Sequence, residues 1–285
     1  MTAPTNESGP AAPGDSPTAR SAESSAADLT SRRRAQVFAV TSGKGGVGKT
    51  LVSANLAAAL ASRGAKVLVL DADLGLANLD VVLNLMPKVT LHDVFTGKVK
   101  LEDAILQAPG GFSVLLAGSG LVEYSRLTPE VRDRLQGIVA SLIPQYDFVI
   151  LDTGAGISDV VLYTVSLADD VLVVATPEPT SLTDAYATIK VLASQQQRLQ
   201  LRLVVNQVAR PGQGRAIRTQ LQNVIDRFVI TSSGEPLKLD LLGEVPFDIT
   251  VREAVQRRML LVEAYPGTEA SQAMSAMAGK LFPRD

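Results

Sequence analysis

The amino-acid sequence predicts an α/β fold in three layers, a mostly parallel β-sheet with helices on both of its faces. Three observations carry this expectation. Short runs of Val, Leu and Ile, such as Phe148-Val149-Ile150-Leu151 and Val171-Leu172-Val173-Val174-Ala175, alternate with longer stretches of helical apolar periodicity. The strand-like runs are apolar throughout rather than every second residue, the pattern of strands buried on both faces and hence of parallel sheets. A glycine-rich loop, Gly43-Lys44-Gly45-Gly46-Val47-Gly48-Lys49-Thr50, stands between the first such run and the first helical stretch.

The elements follow in order. Residues 37–40 are a short β-prone run, and residues 51–60 are rich in Ala and Leu and helical. Strands are expected at 66–71, 111–117, 148–151, 171–175, 201–205 and within 239–245. Helices are expected at 128–142, opened by Thr128-Pro129-Glu130, and at 180–194, 214–228, 250–257 and 268–281. There is no internal repeat. In a sheet of this kind ligands bind at the carboxyl ends of the strands, where each motif below falls.

At 285 residues with 46% apolar content, the chain suffices for one large domain, placed at 35–285. Residues 1–34, rich in Ala, Ser, Pro and Thr and closing on Arg32-Arg33-Arg34, cannot bury enough surface to offset their ordering entropy. They are expected to form a disordered tail. A net charge of -2 gives no global drive toward nucleic acid or an anionic membrane. The absence of cysteine excludes disulfides, thiol catalysis and thiolate-bound iron–sulfur clusters. No apolar run reaches the ~18 residues of a membrane-spanning helix and no signal segment opens the chain, so a cytoplasmic protein is expected.

The loop meets the pattern G-x-x-x-x-G-K-[ST]. Its glycines let backbone N–H groups turn around phosphate oxygens, Lys49 adds a mobile cation, and the Thr50 hydroxyl can ligate Mg²⁺. The strand delivers the loop to a helix N-terminus, whose free N–H groups and dipole favour an anion. This makes the expected fold a P-loop NTPase. The nucleotide-binding set is Gly43, Lys44, Gly45, Gly46, Val47, Gly48, Lys49, Thr50 and Leu51. Lys44 is one cation more than a simple clamp requires, and at this early position its side chain can point toward a facing subunit.

Two acidic motifs follow strand-like runs. Asp71 and Asp73, in Leu70-Asp71-Ala72-Asp73-Leu74-Gly75-Leu76-Ala77-Asn78, can both reach the phosphate and Mg²⁺ region. The bland alternative is a pair of turn aspartates capping the next helix. Phe148-Val149-Ile150-Leu151-Asp152 is an apolar strand ending in a carboxylate, the Walker-B arrangement, which sets Asp152 beside Mg²⁺ through water. No Asn-Lys-x-Asp guanine signature occurs. Asn206 ends a strand where its amide can meet adenine's donor and acceptor, and Val245-Pro246-Phe247-Asp248 offers an apolar wall for the ring. His92, the single histidine, reads as an ordinary helix residue, since no Cys or second His completes a zinc site.

Gly-Lys-Gly-Gly-Val-Gly-Lys-Thr resembles the deviant phosphate loop of the MinD/ParA family of dimerising ATPases, and the likeness extends over residues 36–281. It implies that Lys44 crosses an ATP-driven homodimer to the partner's phosphates. Asp73 would position water, Asp71 would lie near the metal, and Asn206, Pro246 and Asp248 would contact adenine. Lys44, Lys49 and Asp73 would then be catalytic, Thr50, Asp71 and Asp152 would serve the metal, and ATP and Mg²⁺ are the cofactors. Thr153-Gly154-Ala155-Gly156-Ile157 is similar to the family's second switch, although many members have proline at the position of Gly154; that departure is expected to loosen the loop.

Within the family the chain is most similar to flagellar-number regulators of the FlhG/FleN type, through Glu178-Pro179-Thr180-Ser181-Leu182-Thr183-Asp184-Ala185-Tyr186 and Val251-Arg252-Glu253-Ala254-Val255-Gln256. The resemblance implies a flagellar signal-recognition-type GTPase as partner and, in some bacteria, a flagellar transcription activator. The glutamine-containing N-terminal motif that stimulates this GTPase is not recognisable in residues 1–35. The stretch 268–281 carries Ala270, Ala273, Met274, Met277 and Leu281 on one face with Lys280 as its single cation, which favours packing onto the domain over strong membrane binding. Other readings are a DNA- or cargo-partitioning ATPase using Arg210, Arg215 and Arg218 or Arg252, Arg257 and Arg258, a division-site ATPase, and a scaffold that binds ATP without turnover.

Overall fold

In chain order the protein runs β1 (Gln36–Ser42), α1 (Lys49–Ala61), β2 (Val67–Ala72), α2 (Leu79–Leu83), α3 (Leu91–Phe95), α4 (Leu101–Ala104), β3 (Ile105–Gln107) and β4 (Ser113–Leu115). It continues with α5 (Pro129–Leu142), β5 (Phe148–Ala155), α6 (Asp159–Ser166), β6 (Asp170–Ala175), α7 (Pro179–Gln196), β7 (Gln200–Val208) and α8 (Gln213–Phe228). The last elements are β8 (Lys238–Pro246), α9 (Ile249–Gln256), α10 (Leu261–Ala264) and α11 (Glu269–Leu281). These assignments come from a computed structural model that describes residues 1–2, 34–74, 78–118 and 126–283. The chain divides into the units Met1–Arg33 and Arg34–Asp285. The expected tail, apart from Met1, Thr2 and Arg34, and Gly75, Leu76 and Ala77 of the first acidic motif lie outside the described residues.

The eight strands form one sheet in the order β3-β4-β2-β5-β1-β6-β7-β8, parallel except for β3 against β4. Both faces are apolar, as continuous Val/Leu/Ile runs require. Phe38 and Val40 of β1, Val69 of β2 and Ile150 of β5 meet one helical layer; Val37, Ala39, Leu70 and Leu151 meet the other. The first layer holds α1 and α11, the second α5, α6, α7 and α8. Helix α1 buries residues around its whole circumference, so its Ala-rich composition lets strands and α11 approach from several sides.

The sequence expectation differs from the structure in several elements, among them the short helices α2, α4 and α10, which it does not include. Only Ser113–Leu115 of the expected strand at 111–117 pairs into the sheet. The antiparallel edge strand β3 was not foreseen, because three residues carry no period. Helix α6 was not foreseen either. Its Asp-Val-Val-Leu-Tyr-Thr-Val-Ser sequence is rich in β-branched residues, and its helical state comes from the Ser158 cap and from burial of Val160, Val161, Thr164 and Val165.

Helix α11 packs onto the domain as expected, with Ala270, Met274, Met277 and Ala278 buried. Met277 occupies the space a Cβ on Gly243 of β8 would need, and Lys280 donates from Nζ to the Leu242 carbonyl at 2.5 Å. A helix held this way is structural. Met274→Ala should therefore lower unfolding stability by roughly 2–4 kcal/mol in urea titrations; a change near zero would show that α11 is dispensable to the fold.

Candidate functional site

The phosphate loop leaves the carboxyl end of β1, between β5 and β6. Two of its glycines are dictated by crowding. Gly43 lies against the backbone and Cβ of Asp184 in α7, and Gly48, at φ 98°, lies against the Asn206 amide, so neither has room for a Cβ. Gly48 also serves as N-cap of α1 with no side chain bonded to the free N–H groups, which leaves them available to an anion.

Lys49 opens α1, is buried to 9% exposure, and donates from Nζ to Ser42 Oγ at 3.1 Å. Burial lowers its pKa, opposed by the charges of Asp152 and Asp73. The parallel register of β2 and β5 sets Asp71 directly beside Asp152. Asp152 is 2% exposed, and its carboxylate accepts from Ser53 Oγ at 2.9 Å and from the Thr50 hydroxyl. Burial pushes its pKa up to about 6, against the opposing hydrogen bonds and the Lys49 charge. Asp71 is pushed well above the ordinary carboxylate range, first by burial and then by the Asp152 charge. Its Oδ1 accepts from the Asp73 N–H at 3.3 Å, and its buried Oδ2 has no hydrogen-bond partner. Oxygen donors with an unpaired buried oxygen beside the phosphate loop are the chemistry a hard cation such as Mg²⁺ takes.

Asp73 lines a cavity of about 610 Å³ together with Gly46, Lys49, Thr50, Gly154 and Ser158. Gly154 lies in the hydrogen-bonded strand β5, not in a left-handed turn. A Cβ there would come 3.3 Å from Asp73 Oδ1, so the residue that departs from the family's proline keeps space free at the candidate water-orienting carboxylate. A second cavity of about 460 Å³ shares Gly48 and Leu51 with the first and is walled by Asn206, Pro246, Phe247 and Ile249. A nucleotide can thus place phosphates in one and base in the other. Of the expected ring wall, Val245 instead faces the core at 0% exposure. Asp248 caps α9, its Oδ1 accepting from the Thr250 N–H at 2.9 Å and the Thr250 hydroxyl at 2.7 Å.

Two placements go beyond the motifs. The sequence offers Lys44 no partner within its own subunit, yet its Nζ donates to Glu178 Oε2 at 2.9 Å and Thr180 Oγ1 at 3.2 Å, at the start of α7. Those partners lie more than 130 residues away, and only the folded topology joins them. The arginines weighed for DNA binding are also dispersed in role. Arg218 Nε donates to the Leu239 carbonyl at the α8–β8 contact, and Arg252 lines the base cavity. His92 sits in α3, and among the described residues no group of three His, Cys, Asp or Glu side chains could hold a metal ion by themselves. No helix among the described residues is long and apolar enough to cross a membrane.

A glycine loop at a helix N-terminus, a buried lysine facing two strand-end carboxylates and a base cavity alongside define a P-loop nucleotide-binding ATPase. Residues 38–262 match the CobQ/CobB/MinD/ParA nucleotide binding domain, and the chain belongs to that family. It is 44% identical over 246 residues to the antiactivator FleN of Pseudomonas aeruginosa, covering 86% of each chain. It is 34% identical over 252 residues to the flagellum site-determining protein YlxH of Helicobacter pylori, covering 87% of this chain and 82% of that one. Among solved structures it is similar to the septum site-determining protein MinD of Pyrococcus horikoshii complexed with Mg-ADP, at TM-score 0.72 and 28% identity, covering 87% of this chain and 96% of that one.

The raised Asp152 pKa carries a stability consequence. Between the ordinary value of 3.8 and about 6 the folded state holds the proton better than the unfolded chain, so stability falls as pH rises through that window. At neutral pH the buried ionised carboxylate costs at most about 2–3 kcal/mol. Nucleotide-free Asp152→Asn should melt higher than wild type at pH 8, by a margin that shrinks toward pH 4, while losing ATP hydrolysis. A margin unchanged from pH 8 to pH 4 would show that burial of this charge is not its source.

Proposed function

We propose that this ATPase is a molecular switch that sets flagellar number or placement by alternating between an ATP-bound homodimer and a monomer in the cytoplasm. The observation that carries the switch is Lys44. It stands at the rim of the phosphate loop with its side chain 39% exposed, outside the phosphate cavity of its own subunit. Its ion pair with Glu178 is partly exposed, and such pairs contribute about 1 kcal/mol or less, so a partner's phosphates can draw the lysine away at little cost. The flagellar assignment is supported by the likeness to FleN and YlxH, and it implies a flagellar signal-recognition-type GTPase as partner, with a flagellar transcription activator as a further target.

The chemistry assigned to the site is in-line attack of water on the γ-phosphate of ATP. The backbone N–H groups of Gly46, Gly48 and Lys49 and the Lys49 ammonium bind and orient the phosphates. Thr50, Asp71 and Asp152 would hold Mg²⁺, which when bound neutralises phosphate charge. Asp73 orients the attacking water beside Gly154. The segments after Asp73 and Gly154 lead into α2 and α6, so γ-phosphate contacts there can be read on outer helices. Slow turnover suits such a timer.

Three outcomes test this reading. Lys49→Ala should lose nucleotide binding, whereas Lys44→Ala should bind nucleotide yet neither dimerise nor hydrolyse it; a Lys44→Ala protein that dimerises and turns over normally sinks the trans role. Asp73→Ala should run as a persistent dimer on sizing columns with ATP, with little phosphate release; wild-type hydrolysis would move the water-orienting role elsewhere. Deletion in a flagellated host should change flagellar number or placement. Unchanged flagella with mis-segregated DNA or misplaced septa would instead support a partitioning or division-site role, the latter favoured by the likeness to MinD.

A further inference from the structure

The sheet ends on β8, a nine-residue strand parallel to β7, so one side of β8 has no strand beside it. An edge of this kind presents a row of backbone N–H and C=O groups that can template pairing with another chain. Lys238 donates its N–H to the Leu199 carbonyl, on the β7 side, so by alternation along the strand the groups of Leu237 and Leu239 face outward. Side chains of α8 meet them there. Gln222 donates from Nε2 to the Leu237 carbonyl and accepts at Oε1 from the Leu239 N–H, both at 2.8 Å. We propose that Gln222, Arg218 and Lys280 form a seal that closes this edge against β8 of a second copy of the chain.

A carbonyl and an N–H two residues apart are the pair of groups that one residue of a neighbouring parallel strand would engage, so the Gln222 amide stands in for such a strand. Arg218, one turn earlier in α8, donates from Nε to the Leu239 carbonyl at 2.6 Å. From the other layer, Lys280 of α11 donates from Nζ to the Leu242 carbonyl at 2.5 Å. Leu242 is the extra residue of a bulge between the pairs Leu203–Leu241 and Val204–Gly243, which bends the strand away from flat pairing. The strand closes on Pro246, which has no N–H to offer, and Lys238 and Asp240 set an ion pair along it. The opposite edge, β3, is three residues long and too short to template much. Water alone would satisfy the hydrogen bonds of an exposed edge. Side chains reaching over β8 from both helical layers do more, because they occupy the place an added strand would take.

The test is sedimentation velocity and amide hydrogen exchange of the full chain, without nucleotide and with a chelator present. No ATP-driven dimer can then contribute, so the result stands apart from the switch reading above. Wild type should be a monomer. Gln222→Ala should self-associate at concentrations at least about tenfold lower than wild type, its Leu239 N–H exchanging fast in dilute samples and slowly in concentrated ones. Arg218→Ala, which gives up a single contact, should shift the same way by less, and it carries the test on association alone if Gln222→Ala does not fold. Gln222→Lys loses the same two bonds but sets a charge on the edge, so it should stay monomeric with a fast Leu239 N–H. The seal is overturned if the folded alanine variants stay as monomeric as wild type, or if Gln222→Lys associates as strongly as Gln222→Ala. Associated Gln222→Ala whose Leu239 N–H still exchanges fast overturns it too, since the contact then lies elsewhere.

Discussion

The burial of Asp152 is the constraint around which the nucleotide site is built. An ionised carboxylate at 2% exposure is stable only if it is compensated. Here the Ser53 and Thr50 hydroxyls and the charge of Lys49 provide that compensation. Each compensator comes from the loop–helix unit that follows β1, so the carboxylate at the end of β5 and the phosphate loop are locked to one another. Asp71, one strand away in register, repeats the problem with fewer partners and is held well above the ordinary carboxylate range by burial. The site stores unfavourable electrostatics that a bound hard cation would relieve.

The second half of the site is organised by backbone conformation rather than charge. At the end of β7 a bulge at Gln207 interrupts the ladder, and Asn206 and Gln207 both line the second cavity. At the end of β8 Pro246 and Phe247 form the wall, and Asp248 fixes the start of α9 through Thr250. The two cavities meet at Gly48 and Leu51, so phosphate and base recognition share the first turn of α1. Asn206 also donates to the Val47 carbonyl, which ties the wall of the second cavity to the phosphate loop.

Lys44 joins this frame to the rest of the molecule. Its contacts with Glu178 and Thr180 place the loop's spare cation at the start of α7. Gly43 packs against Asp184 in the same helix, so the loop and α7 touch at two points. A change in where Lys44 points is therefore a change at the head of an 18-residue helix whose far end contacts α6, Gln196 donating from Nε2 to the Leu162 carbonyl at 2.6 Å.

Much of this was legible in the amino-acid order because the physics involved is local. Continuous apolar runs dictate strands buried on both faces, and the glycine spacing with Lys49 and Thr50 dictates a phosphate cradle at a helix start. Carboxylates at the ends of apolar runs must emerge at the strand ends. What lacked a local signal was decided by tertiary contact. Helix α6 forms from β-branched residues because its apolar face is buried, and β3 forms because β4 lies beside it. The ion pair of Lys44 with Glu178 and the hydrogen bond from Asn206 to Val47 span more than a hundred residues of chain. Pairings at that separation leave no spacing to read, since it is the order of strands in the sheet that brings the partners together.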